Sequence, residues 1–359
     1  MTDDIQTQVG IKQFRADGCL SYLVHDHHTR EAIIIDPGLD LMTDYRAVIA
    51  QSGLKVKFAL DTHLHCDHFS ATHLFRSEYG SEILMSALTK STRPTLRFAC
   101  DGSAADDIIL GGIRFRVLAS PGHTADSIVL NGHGMLFSGD TLLIGKTGRV
   151  DFDGADPGEM WKSLSGVFSK IPGSTLVFPA HDTQDLLFST IDAELKKNSE
   201  WRSLSQEEFI ALKSQDRLQR PDSEASSRLQ FNLDVAPLGT PWREPGNRHR
   251  PHGPGYEPMA TISMQKFAKK IKNPDPGALF IDVREREEFA GGHIPGARNI
   301  PASELGFHLK EFWRASRVYI CWNATAVRTL NHIGLPDVVH VEGGLRAWTN
   351  LGLEIEKST

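Results

Sequence analysis

Cysteine is scarce in this chain. Four occur among 359 residues, Cys19, Cys66, Cys100 and Cys321, far apart and with no CxxC pair. That spacing argues against a disulfide-held scaffold and a structural zinc knuckle, so each thiol has to be read singly. No apolar run approaches membrane-spanning length, and the opening "MTDDIQTQVG" lacks a basic start followed by an apolar stretch. No membrane association is expected, and a cytoplasmic location follows by default. Charge of one sign is also lacking, because a net −6 is spread along the whole chain. Nucleic acid is therefore not an expected partner. No repeat of solenoid length is visible.

What is present reads as a globular protein of two domains. A chain of 359 residues, 40% hydrophobic and 23% charged, is long enough for two cores. Composition changes at Thr240 to Pro258, where five prolines and three glycines oppose regular structure. The expected organisation is a domain at 1–239, a linker at 240–258 and a domain at 259–359. In the first part, "AIIID", "FAL", "EILM", "RFRVLA", "SIVL", "MLF" and "TLVF" predict strands separated by Gly, Pro and polar turns. "SATHLFRSEYG" and "PGEMWKSLSGVFSKI" predict helices, the second starting at Pro157 beside a capping Asp156. In the second part, "ALFIDV", "VYIC" and "VVHV" alternate with "EREEFAGG" and "GLRAWTNLG", the rhythm of a small parallel α/β sheet.

The densest chemistry lies in "DTHLHCDH", Asp61 to His68. His63 and His65 are two apart at the end of a predicted strand, so both imidazoles face one side if the chain stays extended. Asp67 and His68 follow in the turn. His123 in "SPGHTADS", Asp140 in "FSGDT" and His181 in "FPAHD" each come after an apolar run, where such folds collect functional groups. A single histidine in a chain with 16 is usually a surface or core residue. Four coordinating side chains within six residues, joined by three more at strand ends, are better explained by metal binding.

This pattern resembles the metallo-β-lactamase superfamily over about residues 8–235. The resemblance implies an αββα sandwich with one or two metals held by a THxHxDH loop and later His, Asp and His residues. All seven donor positions are filled, so the ligands alone leave a dinuclear zinc hydrolase of glyoxalase II type open. "GDTLLIGKTGRVDF", Gly139 to Phe152, is similar to the persulfide dioxygenase branch, which carries a GRxDF element. By that resemblance Arg149 holds glutathione, and one Fe(II) sits on His63, His123 and Asp140. His65, Asp67, His68 and His181 are then supporting groups, or ligands of a second metal in the two-zinc alternative. Two imidazoles and one carboxylate leave open positions on iron, and zinc offers no redox step. The plain alternative for Arg149 is a surface ion pair. Cys66 stands where the family usually has alanine and is expected to pack as a small hydrophobe, as are Cys19 and Cys100.

"LFIDVREREEFAGGHIPGARNIP" and "VEGGLRAW" resemble the rhodanese family over about residues 259–357. There the catalytic cysteine ends the central strand in a loop of converging amides, which points to Cys321. A helix N-terminus beside it is expected to lower its pKa and support a bound sulfane sulfur. The loop departs from the family pattern CxxGxR. It reads "CWNATAVRT", without glycine, and Arg328 comes seven residues after the cysteine. Together the two resemblances imply oxidation of glutathione persulfide by O2 to sulfite and glutathione, coupled to sulfane-sulfur transfer between thiosulfate and glutathione. The sequence leaves a homodimer open.

Overall fold

The apolar runs predicted as strands form strands, several of them, such as "AIII" and "MLF", buried on both faces as a sheet covered on each side requires. In the computed structural model the described residues are 8–151, 154–182, 184–202, 204–216, 225–233 and 259–357. They fall into two units, one within Met1–Thr183 and Thr190–Pro251, the other within Gln184–Ser189 and His252–Thr359. The predicted linker, 240–258, lies outside the described residues, as does Phe152.

The first unit begins with β1 (Val9–Ala16), β2 (Cys19–Asp26), β3 (Glu31–Ile35), β4 (Lys55–Leu60), β5 (Glu82–Ser86) and β6 (Leu96–Phe98), paired in that order in one sheet. The pairing is antiparallel from β1 to β3 and parallel from β3 to β6. Parallel pairing needs crossovers, and α1 (Met42–Ser52) and α2 (Thr72–Tyr79) supply two of them. Their Tyr45, Ile49 and Phe75 pack on Phe14, Leu23 and Ile34 of the sheet.

A second sheet has the order β14-β13-β10-β9-β8-β7, built from β7 (Asp107–Leu110), β8 (Ile113–Ala119), β9 (Ile128–Gly132), β10 (Met135–Gly139), β13 (Leu176–Pro179) and β14 (Ser189–Thr190). Between β10 and β13 lies a short antiparallel pair, β11 (Leu142–Leu143) and β12 (Lys146–Thr147). Helices α3 (Pro157–Gly166), α4 (Ile191–Lys197) and α5 (Gln206–Asp216) cover this sheet with Met160, Leu164, Ile191 and Phe209, and α6 (Ala225–Leu233) follows. Asp156 caps α3 as predicted, accepting from the Gly158 and Glu159 amides at 2.7 and 3.0 Å.

The two sheets face each other. Tyr22 of the first meets Phe137 and Phe178 of the second, with ring centroids 5.3 and 5.5 Å apart. Each such buried ring contributes about 1.5–3 kcal/mol from apolar burial. The result is an αββα sandwich, as the resemblance implied.

The second unit is a five-stranded sheet of order β15-β19-β18-β16-β17. Its strands are β15 (Thr261–Ser263), β16 (Ala278–Asp282), β17 (Arg298–Asn299), β18 (Arg317–Cys321) and β19 (Val338–Glu342), all parallel. Helices α7 (Met264–Lys272), α8 (Arg286–Gly291), α9 (Leu309–Phe312), α10 (Ala324–His332) and α11 (Gly344–Asn350) make the connections. Cys321 ends the central strand, opposite Asp282 of β16.

Candidate metal centre

The donors collect where strands end. His63 and His65 follow β4, His123 follows β8, Asp140 follows β10 and His181 follows β13. Two glycines let these ends meet. Gly139 has φ +52, and a Cβ there would lie 2.8 Å from Thr62 Oγ1. The absent side chain brings Asp140 up to the His63 turn. At Gly148 a Cβ would lie 1.8 Å from the Asp140 carbonyl oxygen and 3.2 Å from His123 Nδ1, so only glycine fits under both groups.

One donor atom each of His63, His123 and Asp140 lie within 4.8 Å of one another, and all three side chains are buried. The hydrogen bonds set the imidazole tautomers. His123 Nδ1 donates to the Arg149 carbonyl at 2.7 Å. Thr62 Oγ1 donates to Asp36 at 2.9 Å and lies 3.0 Å from His63 Nδ1, which donates to it. Both Nε2 atoms keep a lone pair, the state a metal ligand needs. Burial holds both imidazoles neutral, pushing His123 below and His63 well below the usual histidine range, His63 helped by its histidine neighbours. Burial alone would raise Asp140, but the charge and hydrogen bond of His181 outweigh it and keep the carboxylate ionised. Two neutral nitrogens and one carboxylate thus fit a divalent cation.

The remaining motif residues lie beside these three, and one donor atom each of His63, His65 and Asp67 also lie within 4.8 Å of one another. His65 Nε2 lies 3.0 Å from Asp36 Oδ1, and its buried Nδ1 has no hydrogen-bond partner among the described residues. Asp36 also accepts from the Thr62 amide at 2.7 Å, so one carboxylate anchors the whole turn. His181 sits between two acids, Nδ1 2.7 Å from Asp140 Oδ1 and Nε2 2.8 Å from Asp67 Oδ2. Burial would lower its pKa, yet the two carboxylates carry it well above the usual range, so both nitrogens donate. His68 Nδ1 lies 3.0 Å from Asp67.

Cys19 was expected only to pack, and the fold places it in the cluster. An antiparallel bridge pairs the start of β2 with His181. The Cys19 Sγ consequently lies 3.2 Å from Asp67 Oδ2 and 3.4 Å from His181 Nε2. The local sequence carried no signal for this, since the contact spans 162 residues. Cys66 belongs to none of the donor groups, and its thiol is pushed up to about 11 by burial and by Asp67. Arg149 offers the site its backbone carbonyl, while its guanidinium, 54% exposed, donates to the buried Asp151 at 3.3 Å.

In the second unit Cys321 is fully buried. The expected lowering of its pKa is not found. Burial, and after it the charge of Asp282, push the thiol up, and Arg284 offsets this only in part. The next residue, Trp322, has φ +75 and lies with its ring 4.3 Å from the Arg284 guanidinium carbon. Helix α10 begins three residues after the cysteine, and its first turn is capped by Asn323, which accepts from the Ala326 amide at 3.1 Å. Arg328 pairs with Asp185 and with Thr325, within the second unit.

Comparison with known proteins agrees with this architecture. Residues 14–193 match the metallo-beta-lactamase superfamily, and residues 263–351 match the rhodanese-like domain. The chain is 35% identical over 204 residues to the mitochondrial persulfide dioxygenase ETHE1 of Homo sapiens, covering 56% of this chain and 78% of the relative. It is 35% identical over 153 residues to a hydroxyacylglutathione hydrolase of Tolumonas auensis, covering 42% of this chain and 57% of the relative. The crystal structure of ETHE1 from Myxococcus xanthus superposes with a TM-score of 0.57 at 29% identity, over 62% of this chain and 96% of that one. A metallo-beta-lactamase from Staphylococcus aureus shares the fold over 93% of this chain and 99% of its own, with a TM-score of 0.58 at 24% identity.

Proposed function

The chain belongs to the metallo-beta-lactamase superfamily and carries a rhodanese-like domain, and from that premise we propose that it oxidises glutathione persulfide with O2. Glutathione persulfide, O2 and water become glutathione and sulfite, with the outer sulfur taking all three oxygens. The reading is carried by the three buried donors His63, His123 and Asp140, one donor atom each within 4.8 Å of one another. Two imidazoles and one carboxylate suit a single Fe(II) better than a zinc pair. Iron bound there supplies the redox centre of the oxidation. The chain's residues do the rest. The Arg149 carbonyl orients His123, Thr62 orients His63, and His181 holds its protons between Asp140 and Asp67. On this proposal the half-exposed Arg149 guanidinium pairs with a carboxylate of the glutathione tail.

The dinuclear zinc thioester hydrolase is the competing reading, favoured by the gathering of Asp67, His68 and His181 beside the first three donors. For the second domain we propose transfer of sulfane sulfur between thiosulfate and glutathione through Cys321, which requires Trp322 to uncover the thiol. That reaction turns thiosulfate and glutathione into sulfite and glutathione persulfide, the substrate of the first domain.

Protein purified without added metal should hold near one iron per chain, take up O2 with glutathione persulfide and form sulfite. Asp140→Ala should remove iron and activity together, and His65→Ala should keep the iron. Two zincs per chain with efficient hydrolysis of S-lactoylglutathione would overturn the proposal.

A further inference from the structure

His123 is aimed by a backbone carbonyl, and a carbonyl is only as well placed as the loop that carries it. That loop, Gly145 to Arg149, is held from outside the two sheets. The Glu194 carboxylate accepts from the Gly145 amide at 2.8 Å, and Asn198 Nδ2 donates to the Lys146 carbonyl at 2.9 Å. Glu200 Oε2 accepts twice from Thr147, from the amide at 2.8 Å and from Oγ1 at 2.6 Å. The same oxygen meets Lys213 Nζ of α5 at 2.9 Å, and Lys213 also reaches the Thr147 carbonyl at 3.5 Å.

Lys213 is almost fully buried, which is costly for an ammonium unless it is paired. Glu200 pairs with it, and the same carboxylate holds Thr147, the residue next to Gly148. Gly148 in turn lies against the Asp140 carbonyl and His123 Nδ1 with no room for a Cβ. A displacement of Thr147 therefore passes directly to Arg149 and to the ring that it orients. Burial would raise the Glu200 carboxyl, but Lys213 and Thr147 hold it below its usual range, so the pair is ionised.

We propose that Glu200 and Lys213 are positioning residues of the metal centre, setting through the Thr147–Arg149 segment the direction from which His123 Nε2 meets the metal. Both lie beyond residues 14–193, the stretch that the superfamily matches directly. The inference rests on the metal-binding reading but not on which reaction follows.

Cobalt(II) titration of the metal-free full-length chain tests it, since the visible d–d band reports ligand geometry and the titration reports affinity. Lys213→Met should weaken cobalt binding about tenfold or more, as loss of supporting hydrogen bonds does at other metal sites, and should shift or weaken the band. Measured where its circular dichroism matches wild type, Lys213→Met with wild-type affinity and band would show that the pair only stabilises the fold, and would overturn the proposal. Should Lys213→Met fail to fold, Thr147→Val decides. It removes one hydrogen bond to Glu200 and leaves the ion pair, so several-fold weaker cobalt binding supports the proposal and unchanged binding overturns it. A wild-type chain that bound no cobalt would instead remove the metal-binding reading itself.

Discussion

Asp26 shows how much one carboxylate can do away from the metal. It closes the turn after β2, where Oδ1 accepts from the His28 and Thr29 amides at 2.7 and 2.9 Å and Oδ2 from the Gly112 amide at 2.9 Å. Burial alone would raise its pKa, but these donors hold it at about 2 against 3.8 for a free group. A depressed folded pKa gives stability that is present above the unfolded value and lost as pH falls through the folded one. The window is therefore about pH 4 down to 2, and the contribution above it is on the order of 2 kcal/mol. Asp26→Asn should lower the unfolding free energy by about that much at pH 7, and denaturant titration at pH 3 should show a clearly smaller difference. Arg149 is the second residue with a clear expectation. Because its guanidinium is half exposed, Arg149→Ala should cost about 1 kcal/mol, read as a several-fold rise in KM for glutathione persulfide with little change in kcat. An unchanged KM would make it a surface charge.

Elements meet at points where only one residue type fits, and the His123 turn is such a point. Gly122 has φ +145, and a Cβ on it would lie 2.3 Å from the Met160 Cα of α3. The Gly122 carbonyl accepts from the Asp156 amide at 2.9 Å, and Ser163 Oγ donates to the Pro121 carbonyl at 2.7 Å. Helix α3 is thus the wall against which the His123 turn is set. Gly122→Ala must part the two, and should cost about 2 kcal/mol or more of stability. Bound metal should fall in parallel, as metal analysis of the folded protein would show. The β18–α10 junction follows the same logic with the opposite result. A tryptophan at positive φ, seated against Gly344, follows directly on Cys321. Native alkylation followed by peptide mass mapping should find Cys321 the slowest of the four thiols. Trp322→Gly removes the large ring and suits the positive φ, so Cys321 should label about tenfold faster. Equal rates in the two proteins would show that the cover lies elsewhere.

At the level of the whole molecule the proposed function assigns the two units separate chemistries. The metal donors all lie in the first, and Cys321 lies in the second. Cys321→Ser should therefore abolish thiosulfate:glutathione sulfur transfer while leaving O2 uptake with supplied glutathione persulfide nearly intact. Intact mass spectrometry after incubation with thiosulfate should show one added sulfur on wild type and none on Cys321→Ser. A wild-type chain that gained no sulfur and showed no transfer would mean that the second domain keeps the rhodanese fold without its reaction.

The sequence by itself determined the identity of the donors and the elements that bear them. Spacing along a strand and its turn is a local property, so "DTHLHCDH" and the strand-end His123, Asp140 and His181 could be read in order. The Asp156 cap, the buried strands and the position of Cys321 at the end of β18 were legible for the same reason. Only the tertiary structure decided which donors converge. Asp36, 29 residues before His65, takes one nitrogen of that imidazole, Nε2, and leaves the other. Cys19 comes beside Asp67 and His181 because β2 pairs with a segment more than 160 residues later, and Lys213 of α5 comes up to the β12 turn through Glu200. The close approaches at Gly139 and Gly148 bring Asp140, Thr62 and His123 together. Such contacts depend on how two sheets and their covering helices pack in three dimensions, and burial in that packing decides the charge of each buried group. The same physics set the Cys321 thiol, where desolvation outweighed the helix N-terminus that the sequence had suggested would activate it.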